Sequence, residues 1–366
     1  MSEVRIIALY LPQYHPFKEN DEWWGKGFTE WTNVGRAKPL FKGHYQPRVP
    51  KDLGYYDLRL PIVREQQAQL AREAGIEGFC YWHYWFGNGR RLMETIFDEV
   101  LRTGKPDFPF CLGWANHDWY AKNWNAKGTK GGDRLLIEQQ YLGENDYRMH
   151  YEYVLKAFRD PRYIMYNDMP VFMIYAADKV PSDIITLWNK WAKEDGFSNG
   201  IYFIGNINRY VNVAELERKG FHAFTRARIN DIKYASTKRH YLSYLNQIKN
   251  YLSGRPPYCY KYEDASKYFF ADEDRREDFI PSIIPNFDHS PRSKGAGTIL
   301  YGSNPENFAR HVHQVLQEVS KKQNKLIFLK SWNEWGEGNY MEPDMDFDHG
   351  YINALRNEID KLKKQQ

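Results

Sequence analysis

The chain has 366 residues, 27% of them charged, with 51 basic against 47 acidic side chains for a net charge of +4. So even a balance offers no field for nucleic acid and no polybasic patch for a membrane surface. Three cysteines without metal-ligand spacing exclude a disulfide framework, no apolar run reaches the roughly 18 residues of a membrane span, and "MSEVRIIALYLPQYHP" lacks a signal peptide's cleavage site, so a cytoplasmic protein without membrane insertion is expected.

Short apolar runs alternate with segments of helical period. In chain order the pattern predicts strands at 4–10, 77–82, 108–114, 170–175, 201–205, 222–225, 279–285 and 325–330. Between them it predicts helices at 60–74, 92–103, 145–158, 182–194, 212–219, within 237–253, at 305–321 and at 350–363. Pro61 in the first turn and Gly75 past the end mark the first of these. Strand and helix repeated eight times predict a (β/α)8 TIM barrel with long loops at its C-terminal face, one catalytic domain over 1–366 with a polar insertion around 226–278. A doubly wound open sheet is the alternative, but it would normally carry a glycine-rich phosphate turn after the first strand, and none is present.

In a barrel the active site is built by the loops at the carboxyl ends of the strands. Ten of the 12 tryptophans fall in or beside the loops after strands 1, 2, 3, 7 and 8: Trp23, Trp24, Trp31, Trp82, Trp85, Trp114, Trp119, Trp124, Trp332 and Trp335. Trp188 and Trp191 lie three apart on a helix, as core residues would. The same loops supply polar and aromatic partners: Tyr14, His15 and Glu30 from the first, Tyr81, His83 and Tyr84 from the second. Asn116 and Asp118 come from the third, Asp288 and Arg292 from the seventh, Asn333 and Glu342 from the eighth. Aromatic rings take the flat C–H faces of sugars while amides, carboxylates and arginines take the hydroxyls, so the expected substrate is an oligo- or polysaccharide. The bland alternative, that these rings plug the barrel mouth, leaves the accompanying carboxylates unexplained. His83 can equally be a satisfied core histidine.

Glycoside chemistry needs two carboxyl groups beside the scissile bond, one of them protonated. In "KSWNEWGEGNYMEPD", Glu334 and Glu337 are three apart, on one side of a turn that Gly336 and Gly338 free to present them. Trp332 and Trp335 would raise one pKa by desolvation, and Glu337 is the expected acid. Other motifs carry less. Asp344 and Asp346 form an acidic pair of the metal-holding type that is also common by chance, and His311 and His313 face different ways on a helix. "KGTKGGD" (127–133) lacks phosphate-loop order, and "ADEDRRED" (271–278) is expected to be a solvated charge run. No metal or cofactor is expected.

The segments "YLPQYHPFKENDEWWGKGFTEWTNV", "KPLFKGHYQPRVPKDLGYYDLR", "GFCYWHYWF", "GKPDFPFCLGWAN" and "SWNEWGEGNYMEPD" resemble the WbsX-type family of bacterial surface-polysaccharide gene clusters, named as glycosyltransferases. That family is similar in turn to the family 99 endo-α-mannosidases and endo-α-mannanases, through the fold and the Asn-Glu-Trp-x-Glu-Gly core of the last motif. The resemblance implies a retaining mechanism in which Glu334 acts as base on the sugar's own 2-hydroxyl and Glu337 as acid, then base. Relatives commonly read Ala-Asn-Glu-Asn-Trp after strand 3, whereas this chain has His117 and Asp118 there. Two further readings stand beside the hydrolase: a glycosyltransferase of O-antigen or capsule synthesis, and a non-catalytic glycan-binding barrel.

Overall fold

The computed structural model describes residues 3–121, 134–235 and 240–365. The apolar runs form nine parallel strands: β1 (Arg5–Tyr10), β2 (Gly78–His83), β3 (Phe110–Trp114), β4 (Met169–Ile174), β5 (Tyr202–Asn206), β6 (Ala223–Thr225), β7 (Phe279–Ile280), β8 (Ser282–Ile283) and β9 (Leu326–Leu329). Their hydrogen-bonded order is β7-β6-β5-β4-β3-β2-β1-β9-β8. β7 and β8 are one run of chain divided at Pro281, which has no N–H to give a ladder. The first half pairs with β6 and the second with β9, while the Pro281 carbonyl still accepts from Phe328 N at 3.0 Å. The sheet therefore wraps into a nearly closed α/β barrel. Both faces of its strands are buried, which is why they appear in the sequence as continuous apolar runs.

The helices fall where the periodicity predicts: Pro61–Ala74, Glu94–Thr103, Glu144–Phe158, Ser182–Glu194, Val213–Lys219, His240–Leu252, Pro305–Val319 and Gly350–Gln365. Gly75 ends the first at φ 82°, its N–H bonded to Ala71 and Arg72 carbonyls, and a Cβ there would come within 2.8 Å of Ile359 Cδ1. Trp188 and Trp191 are core residues, packed on Phe172 and Tyr151. Burial of each large apolar side chain stabilises by about 1.5–3 kcal/mol.

The loops hold more structure than their polarity suggests. The first contains helices Lys18–Trp24 and Glu30–Arg36, the second capped by the Thr29 side chain accepting from Trp31 N. The third enters a ribbon of Trp119–Ala121 with Arg134–Ile137. Segment 226–278 contributes Ile229, Tyr260, Tyr262 and Phe269 to a small core of its own with Ile284, Phe287 and Leu300. The charge run 271–278 is not simply solvated, because Asp274 is buried on Arg228 Nε at 2.8 Å and Glu277 accepts from the backbone of Gln323 and Asn324. The 127–133 segment and Trp124 lie outside the described residues. Among those described, no helix is long and apolar enough to cross a membrane.

Candidate active site

After β9 the chain turns back as an antiparallel hairpin, β10 (Asn333–Glu334) with β11 (Asn339–Tyr340), joined by a 3-10 turn at Trp335–Glu337. Side chains three apart eclipse in 3-10 geometry, so Glu334 just before the turn and Glu337 at its end stand side by side. Gly338 closes the turn at φ 50°, and a Cβ there would lie 2.9 Å from Asp288 Cβ. Gly336 contributes space instead, since a Cβ would run into the Glu30 carboxylate and Arg292. The hairpin is pinned to the first loop: Asn333 bonds Leu11 N at 2.8 Å and Leu11 O at 3.0 Å, and Trp335 N donates to the Tyr14 hydroxyl at 2.9 Å.

Lys330 directly follows β9, and its Nζ lies 3.5 Å from Glu334 Oε2 and 3.4 Å from Glu337 Oε2. Arg292 donates through Nη1 to Glu337 Oε1 at 2.7 Å and through Nε to Glu30 Oε2 at 3.0 Å. His289 Nε2 stands 4.0 Å from Glu337. Burial, and then the charge of Glu337, push the Glu334 carboxyl up to about 8. Burial acts the same way on Glu337, but Lys330 and Arg292 outweigh it and hold that carboxyl well below its usual range. The two carboxyls hydrogen-bond to each other, so the pair holds one proton, resident on Glu334. The sequence expectation was the reverse. It weighed the apolar walls and not the cations that the fold brings against Glu337.

Of these groups Lys330 and Glu337 line a cleft of about 570 Å³ at the carboxyl ends of the strands. Leu9, Met173 and Phe328 line its apolar part, Trp82, Tyr175, Lys330 and Glu337 one wall, and Asn206, Asn208, Arg226 and Asn230 another. Trp82 and Tyr175 meet edge to face at 5.7 Å. An apolar and aromatic lining with a few convergent amides and charges is the composition of a small-molecule site.

Residues 6–355, nearly the whole chain, match the family described as Glycosyltransferase WbsX. The chain belongs to this family. Two relatives from strains of Xanthomonas campestris pv. campestris, each described as Uncharacterized protein WxcX, are 33% identical over 362 residues, covering 96% of this chain and 49% of the relative. The chain thus spans about half the length of the curated relatives it matches. Among solved structures, a GH99 endo-alpha-mannosidase from Bacteroides thetaiotaomicron superposes with a TM-score of 0.57 at 16% identity over 98% of both chains. A glycoside hydrolase-like protein superposes at 0.59 with 13% identity, over 98% of this chain and 94% of the other. At such identities the likeness shows the fold alone, a GH99-like TIM barrel.

In this WbsX-family barrel the anticipated site residues separate by position. Glu334, Glu337, Arg292 and Glu30 form one connected group, and the Tyr84 phenol is pushed up by burial and then by Glu334. Tyr84, Trp23 and Trp119 pack together nearby, Trp119 lying 5.9 Å from Trp23 and 5.4 Å from Tyr84. Trp24 is 42% exposed. Trp31 is wedged among Tyr14, Tyr56 and Trp335, its Nε1 donating to Tyr56 O at 2.7 Å.

Other residues expected to touch substrate hold contacts within the framework. Tyr81 packs against Tyr10, Phe97 and Phe110 on the helix side of β2. His83 meets His150 Nε2 at 2.7 Å, with burial lowering its pKa to about 3, and Trp85 stacks on His150 at 4.6 Å. Alternate strand residues face opposite sides, so Trp82 reaches the cleft while its neighbours Tyr81 and His83 cannot. His15 is buried, its pKa lowered to about 4 by burial. Asn116 clamps the backbone N and O of Ala176, and Asp118 accepts from Gln139 N at 2.7 Å. The displaced acid of "ANHDW" thus anchors the segment after the ribbon. Asp288 takes His44 and Gln46, each at 2.7 Å.

Asp344 caps a turn, accepting from Tyr340, Asp346 and Phe347. His311 is buried and His313 pairs with Glu358 at 2.9 Å, so neither metal pattern closes. Among the described residues, Asp52, Asp348 and His349 have ligand atoms within 4.8 Å of one another and could hold a cation; none of them lines the cleft. Lys330, Tyr175 and Asn206 are cleft residues that the sequence reading does not single out. Their signal is position, at or just past the end of a barrel strand.

Proposed function

We propose that this chain is a retaining, GH99-like endo-glycoside hydrolase acting on bacterial surface polysaccharide, with Glu334 as base and Glu337 as acid and then base. The observation that carries the reading is the geometry of the two carboxyls on one turn, both within 3.5 Å of Lys330 Nζ, with Glu337 lining the cleft and bonded to Arg292. Because both glutamates sit on one short turn, they approach a sugar ring from the same side. That arrangement does not suit an inverting pair, which must leave room for a water opposite the acid. It does suit participation by the sugar's 2-hydroxyl. Glu334 takes that hydroxyl's proton, O2 closes on C1, the C1–O bond to the leaving group breaks, and Glu337 protonates the leaving oxygen. In the second step Glu337 takes a proton from water as its oxygen attacks C1, the C1–O2 bond breaks, and Glu334 returns its proton to O2.

The experiment is incubation with the polysaccharide made by the genes beside this one, with products sized and their anomers read by NMR. New reducing ends with retained configuration support the reading, and an intact polymer argues against it.

A glycosyltransferase is the second reading, favoured by the family's description. Saturable binding of a nucleotide sugar, with transfer to an acceptor in place of hydrolysis, would decide for it.

A further inference from the structure

Lys330 belongs to neither of the roles assigned above, yet it touches both carboxyls. We propose that Lys330 is a positioning residue, the shared counter-ion of Glu334 and Glu337, which lets a single proton change sides between them during turnover. This inference rests on the reading of the pair as the base and acid of a carbohydrate-active enzyme.

The first step of that chemistry needs Glu334 ionised and Glu337 protonated. The free protein holds the opposite arrangement, which is the one left after the first step and required by the second. To enter the cycle from this resting form the proton must therefore cross: the Glu334 O–H bond breaks, a Glu337 O–H bond forms, and the negative charge moves the other way. Nothing else is exchanged. In a buried site an unpaired carboxylate is costly, so such a shift is cheap only if the counter-charge serves both ends equally.

Lys330 meets that condition, with Nζ at 3.5 Å from one carboxyl and 3.4 Å from the other. Its backbone is fixed, the N–H bonded to Ile283 O at 3.0 Å and the carbonyl accepting from Asn339 Nδ2 at 2.8 Å. Burial works against its charge, and the two glutamates more than offset that, so it remains an ammonium rather than a proton carrier.

The other groups facing the pair are unevenly placed. Arg292 hydrogen-bonds only Glu337 of the two, and His289 also lies toward Glu337. Glu30 holds the far side of Arg292. Tyr14 and Tyr84 feel Glu334, and Tyr175 faces Lys330 and both glutamates. Arg292 thus biases the resting proton toward Glu334. A sugar hydroxyl that draws off Arg292 removes the bias, and Lys330 need not move for the proton to cross.

The test uses the free protein and needs no substrate. Side-chain carboxyl resonances of Glu334 and Glu337 are followed by isotope-edited NMR against pH in wild type, Lys330→Met and Arg292→Gln, with assignments from Glu334→Gln. Lys330→Met should raise both titrations by about one pH unit or more, a tenfold change in each proton affinity. Arg292→Gln should move chiefly Glu337. In wild type the Lys330 Nζ resonance should respond to both titrations, a readout that does not depend on the variant folding. A purely structural lysine would lower the melting temperature and leave the titrations in place. Unmoved titrations, or movement of one carboxyl only, would overturn the proposal. The proton-sharing result is read without turnover, so failure to cleave any glycan would instead count against the hydrolase reading.

Discussion

Trp335 Nε1 donates to Glu342 Oε2 at 2.6 Å, from behind the turn that carries Glu334 and Glu337. Glu342 also accepts from Gln67 at 2.6 Å and Tyr56 at 3.0 Å and is buried, so it fastens the catalytic hairpin to the first helix of the barrel and to the first loop. Glu342→Ala would strand three buried donors, at about 1–3 kcal/mol each. The expected result is a destabilisation of roughly 3 kcal/mol or more in urea denaturation. Burial raises the Glu342 pKa to about 7, so at lower pH it is already a neutral acid. Glu342→Gln should therefore cost much less at pH 5 than Glu342→Ala does.

The pH dependence of activity follows from the single shared proton. Above about 8 the pair loses it and no acid remains. Below the depressed value of Glu337 both carboxyls are protonated and no base remains. The profile of kcat/KM should be a broad bell with its alkaline limb near 8. Stability carries a matching sign. Between the ordinary value of 4.5 and about 8, folded Glu334 keeps a proton that the unfolded chain has released, so its contribution is lost as pH rises. Melting temperatures of Glu334→Gln relative to wild type should accordingly improve from pH 5 to pH 8. A difference that is flat with pH would contradict the raised value.

Glu337→Gln should lower turnover by about 10²–10⁴ while glycan binding persists, the usual cost of losing an acid catalyst. A substrate with an activated leaving group should recover part of the loss, because it needs less protonation. Wild-type rates on the natural glycan would remove Glu337 from the acid role.

Trp24 and Trp31 of the first loop are expected to part company. Trp24 is exposed and touches Phe28 at 5.8 Å, so Trp24→Ala should weaken glycan binding with little change in melting temperature. Trp31 is tied to Tyr56 and packed on Trp335, so Trp31→Ala should cost stability, on the order of 3 kcal/mol for a large aromatic. Paired calorimetry and glycan titration distinguish the two outcomes.

The barrel is legible because short continuous apolar runs alternate with segments of period 3.6 along the chain, and Glu334 and Glu337 because they follow the last strand beside tryptophans. What escaped was parity. On β2 the run Tyr81-Trp82-His83 is uniformly aromatic, and composition does not say that Trp82 faces the cleft while Tyr81 and His83 face helices. In sequence Lys330 is the last residue of a predicted strand, and only the fold sets it against both glutamates. Tyr175 follows β4 and Asn206 ends β5, and the loops after these strands hold no tryptophan, so neither residue stands out in the sequence. The polar residues Asn116, Asp288 and Glu342 resemble ligand contacts in sequence because buried loop anchors and sugar contacts use the same side chains.

The most direct measurement is proton NMR of the anomer first formed when the natural glycan is cleaved, beside a 2-deoxy or 2-fluoro analogue of the cleaved residue. Two glutamates on one turn serving the substrate's own 2-hydroxyl give net retention, and the analogue stays intact. An inverted first product, or brisk cleavage of the analogue, would contradict the role of Glu334 and the mechanism built on it.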